Sequence, residues 1–207
     1  MVKIAVINYD SGNVRSVCKA IDFLGHKSVL TNNVSEILSS DGIILPGVGA
    51  FGDCVEKLKK YGVWDVVFKI VDDKKPFLGI CVGHQLLFEK SFEFGEHDGF
   101  GFVKGEVKRF PEREGFKVPH MGWNNVIFDK KNRLFDGIES GNFFYFVHSY
   151  YGLALDGSQI AHTNYIVDFT AAVNKGNIWG VQFHPEKSQR VGLKVLENFC
   201  KICEGKL

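Results

Sequence analysis

One stretch constrains the fold more than any other: Pro76-Phe77-Leu78-Gly79-Ile80-Cys81-Val82-Gly83-His84-Gln85-Leu86-Leu87-Phe88. Phe77, Leu78 and Ile80 form a short apolar run without polar alternation, which predicts a strand buried on both faces. Gln85, Leu86, Leu87, Phe88, Glu89 and Lys90 are mostly good helix formers and predict a helix directly after it. The join reads Gly79-x-Cys81-x-Gly83, the spacing of a nucleophile elbow with cysteine in place of serine. Glycine on both sides lets the chain turn sharply without a Cβ clash. The turn forces Cys81 out at the mouth of a sheet, at a helix N-terminus, where free N–H groups and the helix dipole favour a thiolate. A free cysteine is more commonly a buried structural residue. The paired glycines and the strand-to-helix switch favour a nucleophile.

The first part of the chain repeats the same architecture. Lys3 to Asn8 reads as a nearly all-apolar strand. Tyr9-Asp10-Ser11-Gly12-Asn13 is a turn cluster in which Asn13 can cap the next helix. Val14, Val17, Cys18, Ile21 and Leu24 recur at helical spacing, and Gly25 stops that helix. Ser28 to Thr31 and Asp41 to Leu45 are further strands. The latter runs into the glycine-rich turn Pro46-Gly47-Val48-Gly49-Ala50-Phe51-Gly52. Helical pattern returns from about Asp53 to Asp72, with a break at Gly62. Apolar strands alternating with helices predict right-handed βαβ units and a parallel sheet covered on both faces. After Lys90 the texture changes. Strand patterns at Glu106 to Phe110, Val126 to Phe128, Phe143 to Tyr151 and Ile166 to Val173 predict an antiparallel addition to the sheet. A last helix places Val191, Val195, Leu196 and Phe199 on one face. The expected fold is α/β: an open, mostly parallel sheet with helices on both faces and an antiparallel extension, as one domain spanning 1–207.

Composition excludes several classes of function. Lys plus Arg number 25 and Asp plus Glu 24, with no basic stripe for nucleic acid. No apolar run approaches a membrane span. Met1 to Ile7 enters a strand pattern directly, with no signal-peptide pattern. Five cysteines, an odd number in a chain with a large core, suit a reducing cytoplasm rather than a disulfide framework. Cys200-Lys201-Ile202-Cys203 is a C-x-x-C, but it lies on an apparent helix with no second ligand pair nearby, so no metal and no cofactor are expected.

A cysteine nucleophile needs a base and a group to orient that base. Trp179-Gly180-Val181-Gln182-Phe183-His184-Pro185-Glu186 delivers His184 at the end of an apolar strand. Pro185 prevents the ladder from continuing. Glu186 is placed to fold back on the imidazole and fix its tautomer. Alone, this segment equally describes a surface histidine at a strand end; beside the elbow it points to a base. Donors for an oxyanion come from Val82, the residue after the nucleophile, and from the Gly47-Val48-Gly49 turn.

These motifs resemble the class I, triad-type glutamine amidotransferases. The further segments Lys117 to Asn124, Phe144 to Tyr150, Pro46 to Phe51 and His184 to Gln189 resemble the glutaminase subunits of imidazole glycerol phosphate synthase, and the likeness covers essentially the whole chain. Val118-Pro119-His120-Met121-Gly122-Trp123-Asn124 is the most discriminating run. The resemblance implies a flavodoxin-like fold and a Cys81–His184–Glu186 triad that hydrolyses L-glutamine to glutamate and ammonia. Gln85, Glu93, His148, Ser149 and Tyr150 match positions that hold glutamine. The implied partner is a (β/α)8-barrel cyclase, forming a heterodimer through Asn13, Met121, Trp123, Tyr145 and Lys187. That barrel receives the ammonia and makes imidazole glycerol phosphate and AICAR in histidine biosynthesis. Read from composition alone, Met121 and Trp123 fit a core as well as an interface. Two positions depart from the pattern: His84, where such subunits often have Met, and Asp10, where glycine is common. They leave room for a paralogue feeding ammonia to a barrel partner in amidino-sugar formation. The readings from other classes are a channel-free cysteine hydrolase and a non-catalytic regulatory subunit.

Overall fold

The structure is a computed structural model that describes residues 1–10, 12, 14–128 and 131–206. The elements run in the order β1 (Lys3–Ile7), α1 (Val14–Phe23), β2 (Lys27–Thr31), α2 (Val34–Leu38), β3 (Gly42–Gly47), α3 (Phe51–Lys60), α4 (Trp64–Asp72), β4 (Phe77–Cys81) and α5 (Val82–Gln85). There follow β5 (Phe88–Ser91), β6 (His97–Asp98), β7 (Val103–Arg109), β8 (His120–Asn125), β9 (Ile127–Phe128), β10 (Phe143–His148), β11 (Tyr150–Ala154), β12 (Gln159–Tyr165), β13 (Val167–Lys175), β14 (Ile178–Val181) and α6 (Gln189–Cys203).

The main sheet has the order β2-β1-β3-β4-β14-β13-β12-β9, parallel from β2 through β14 and antiparallel beyond it. The apolar runs of β1, β3, β4 and β14 are buried because both sheet faces are covered. The chain steps one way from β1 to β2 and the other way through β3 to β4. Right-handed crossovers therefore put α1 and α3–α4 on opposite faces. The break expected at Gly62 is present: its φ of +68° suits glycine and separates α3 from α4.

Three expectations need correction, and one helix was not foreseen. The helix predicted after Cys81 is one turn long, and Phe88–Ser91 is a strand; Phe88 and Ser91 are buried while Glu89 is exposed, so tertiary pairing overrides helix propensity. The run 143–151 is two strands, which part at Ser149 and join different sheets. The antiparallel part is only partly an addition to the main sheet. β8 and β10 form a separate pair, and β11-β7-β5-β6 a separate four-stranded sheet. Helix α2 was not expected; Asn33 caps it by accepting from the Ser35 and Glu36 amides, whereas Asn32-Asn33 reads locally as a turn. Asn13, expected as a helix cap and as a docking residue, lies outside the described residues.

Candidate active site

Three parallel strands end side by side at the site. Gly47 of β3 is in register with Cys81 of β4, and Ile80 is in register with Val181 of β14, three residues before His184. Cys81 has φ +57° and ψ −110°, a conformation that costs a non-glycine residue energy and is held by its surroundings. The glycines show why the turn tolerates nothing larger. A Cβ on Gly79 would lie 2.4 Å from the Gly83 carbonyl oxygen, and one on Gly83 would lie 1.9 Å from that of Leu45. The turn is packed against its neighbouring strand, and this contact aims the sulfur.

His184 Nδ1 and Glu186 Oε1 are 2.8 Å apart, with both side chains almost fully enclosed. Burial disfavours a charged imidazole, but the Cys81 sulfur and the Glu186 carboxylate outweigh it and push the His184 pKa up to about 10. The sequence placed the thiolate's support in the helix dipole. Because α5 is a single turn, that contribution is small. The His184 backbone is clamped as well: its N–H donates to the Tyr145 carbonyl at 2.9 Å, and its carbonyl accepts from Ser188 Oγ at 2.6 Å. Ser188 Oγ accepts in turn from the Tyr145 N–H at 3.0 Å.

A cavity of about 260 Å³ opens over the sulfur, on the scale of an amino acid rather than a peptide. It is lined by Val48, Gly49, Cys81, Val82, Gln85, Glu93, Val147, His148, Ser149, Tyr150 and His184. All five residues expected to hold glutamine therefore border one space, as do three of the four expected at the oxyanion; Gly47 stands behind them in the strand. The side chains are more committed than the sequence suggests. Gln85 Nε2 donates to the Tyr150 carbonyl at 2.9 Å and to Gln182 Oε1 at 3.0 Å. Glu93 Oε2 accepts from the Phe51 amide at 2.7 Å and so caps α3, whose own N-cap Ala50 has no acceptor side chain. Burial raises the Glu93 pKa. Gln182, which donates to Cys81 Sγ at 3.9 Å, was missed as a site residue. The apolar strand around Gln182 was the available signal, since a fully buried glutamine needs partners.

The family profile described as "Glutamine amidotransferase class-I" matches residues 5–203. The chain belongs to the class I glutamine amidotransferases. Among amidotransferase relatives, it is 48% identical over 205 residues to "Imidazole glycerol phosphate synthase subunit HisH" of Geobacter sulfurreducens, covering 96% of this chain and 98% of that one. It is 46% identical over 199 residues to the subunit of the same name from Methanocaldococcus jannaschii, covering 96% and 99%. A solved structure described as PurLQS from Thermotoga maritima shares the fold, with a TM-score of 0.72, 20% identity and coverage of 97% and 98%.

This amidotransferase also carries an exposed aromatic face on β8 and β10. Met121 and Trp123 are 67% and 46% exposed, so they are surface residues and not core. Trp123 is in register with Tyr145 across β8 and β10, their rings 6.1 Å apart, and the Lys187 ammonium lies 5.7 Å from the Tyr145 ring. The two departures from the family pattern are accommodated locally. Asp10 has φ +59°, which explains a preference for glycine there, and it is held by the Tyr61 hydroxyl and by Lys57 on its carbonyl. His84 is fully buried against Phe88, and burial pushes its pKa down to about 3. Cys200 is buried in α6 with its thiol pushed up to about 12, and Cys203 fills the space above Gly42. Among the described residues no cluster of His, Cys, Asp and Glu could hold a metal ion, and no helix is long and apolar enough to cross a membrane.

Proposed function

We propose that this amidotransferase is the glutaminase subunit of an imidazole glycerol phosphate synthase, hydrolysing L-glutamine and passing the ammonia to a (β/α)8-barrel cyclase. The observation that carries the reading is the enclosed His184–Glu186 pair, with His184 and Cys81 both lining one amino-acid-sized cavity. The near-complete alignment with subunits of that name supports the assignment to histidine biosynthesis.

The chemistry follows from the charges. The Cys81 thiolate attacks the side-chain amide carbon of glutamine, and the carbonyl oxygen becomes an oxyanion. Backbone N–H groups of Val82 and of the Val48–Gly49 turn receive it. The His184 imidazolium, held charged by Glu186, gives its proton to the leaving nitrogen, and ammonia departs from a glutamyl thioester. Neutral His184 then takes a proton from water, which adds to the thioester; collapse releases glutamate and regenerates the thiolate. Gln85, Glu93, His148, Ser149 and Tyr150 hold the substrate, Glu93 receiving its ammonium group.

Ammonia loses its nucleophilicity once water protonates it, so it must leave by a covered route. Met121, Trp123, Tyr145 and Lys187 form the docking face, with Asn13 as a further contact. Tyr145 is hydrogen-bonded through its backbone to His184, so the face and the base share one residue. The turn Val48–Gly49, with Gly49 at φ +101° and open space around its Cα, serves as the element that the partner sets. The test is glutamate release by this protein on its own, with the cyclase, and with the cyclase bound to its nucleotide substrate. Low turnover without the partner and a large rise in the complex are expected; full turnover without the partner would overturn the reading.

A further inference from the structure

Around the cavity lies a set of buried polar groups that the reaction above leaves unexplained. Their hydrogen bonds can be assigned from one fixed point, the Tyr150 carbonyl, which can only accept. It lies 2.8 Å from His148 Nδ1, so that nitrogen carries the proton. Enclosed His148 is neutral, so its Nε2 accepts, and His120 Nδ1 at 3.0 Å must donate to it. His120 Nε2 then accepts from Asn124 Nδ2 at 3.2 Å. The orientation of the Asn124 amide is fixed independently: Oδ1 accepts from the Asn125 N–H at 2.9 Å, and Nδ2 also donates to the Asn164 carbonyl at 3.0 Å.

A second arm leaves the same carbonyl. Gln85 Nε2 donates to it and to Gln182 Oε1, and Gln182 Nε2 donates to the Cys81 sulfur. The two arms join Asn124 to the nucleophile without a gap. Along β8, His120 and Asn124 alternate with exposed Met121 and Trp123, so one strand carries the aromatic face on one side and the start of this chain on the other.

We propose that His120 and Gln182 are positioning residues of the reaction, acting through His148, the Tyr150 carbonyl and Gln85 to fix the Cys81 sulfur relative to β8. The proposal deepens the glutaminase reading and rests on it for the use made of Cys81. The first readout below, the reactivity of the thiol itself, does not depend on glutamine being the substrate and so separates the two.

His120→Phe keeps the ring stacked between Tyr165 and Phe146 while removing both nitrogens. His120→Asn returns an amide donor near the place of Nδ1, and Gln182→Leu removes the donor to sulfur. Each variant is checked by its melting curve. Cys81 alkylation by iodoacetamide is then timed at one fixed pH, and kcat and KM for glutamine are measured in the assembled synthase. Loss of one such bond is expected to slow alkylation and lower kcat by about tenfold in His120→Phe and Gln182→Leu, with KM nearly unchanged. His120→Asn should recover most of the His120→Phe loss. Wild-type rates in His120→Phe, equal damage in both His120 variants, or an effect confined to KM would overturn the proposal. Should His120→Phe fail to fold, nitrogen-15 spectra of the unmutated protein decide: both His120 and His148 must carry the proton on Nδ1, and a proton on Nε2 of either overturns it.

Discussion

Two histidines line the same cavity: His184 is driven towards its charged form and His148 is held neutral, although both are almost completely enclosed. Burial acts on each in the same direction. The difference lies in the partners. His184 faces the Cys81 sulfur and the Glu186 carboxylate, which push its pKa up to about 10. His148 faces a carbonyl, and burial, helped by neighbouring imidazoles, takes it down to about 3; His120 beside it is lowered to about 4 by burial. The same side chain is thus drawn towards its charged form beside a sulfur and a carboxylate, and held neutral where it faces a carbonyl and other imidazoles. The two histidines also come from different parts of the fold, the end of β14 and the separate β8–β10 pair.

The largest effect that could break the comparison is removal of the reacting group. Cys81→Ala should lower glutamate release in the complex on the order of 10⁴-fold or more, since members of such a unit act together. Removing the charge that supports His184 comes next. Glu186→Gln should cost on the order of 10⁴-fold in kcat. It should also lower the His184 pKa, which a shifted pH–rate profile or direct titration of the ring would show. An unshifted His184 would mean that the carboxylate is not what separates the two histidines.

The aim of the sulfur is a matter of packing. Gly83→Ala puts a methyl group into the Leu45 carbonyl and should destabilise the protein by about 1–3 kcal/mol, read from denaturant midpoints. A smaller effect belongs to acid. His84, His120 and His148 have folded pKa values depressed below 6.5, so the unfolded chain binds protons that the folded one refuses. Stability should fall as pH drops from about 6.5 towards 3 to 4. His184 has the opposite sign; its contribution is complete below 6.5 and is lost as pH rises through about 10. His84→Met should flatten the acid branch of the melting-temperature curve without changing the alkaline branch.

The parallel half was legible because its inner strands are buried on both faces, and continuous apolar runs such as Ile43-Ile44-Leu45 announce that. The candidate site could be read because Cys81, His184 and Glu186 lie in two short motifs, each with its own local geometry. The antiparallel half was harder to read. Gln85 to Lys90 has helix propensity, but Phe88 is claimed by the β5–β7 pairing. Phe143 to Tyr151 looks continuous, since nothing local marks Ser149 as the corner where the chain changes sheets. His120 and Gln182 escaped because their meaning lies in contacts made across 28 and 101 residues of sequence, and no spacing rule reaches that far.

The most direct measurement is mass spectrometry of the assembled protein quenched during turnover with glutamine. A glutamyl adduct on the peptide containing Cys81, absent in Cys81→Ala and released as glutamate over time, is the result expected. Turnover with no adduct on that peptide, or with the adduct on another cysteine, would contradict the assignment of Cys81 as the group that attacks glutamine.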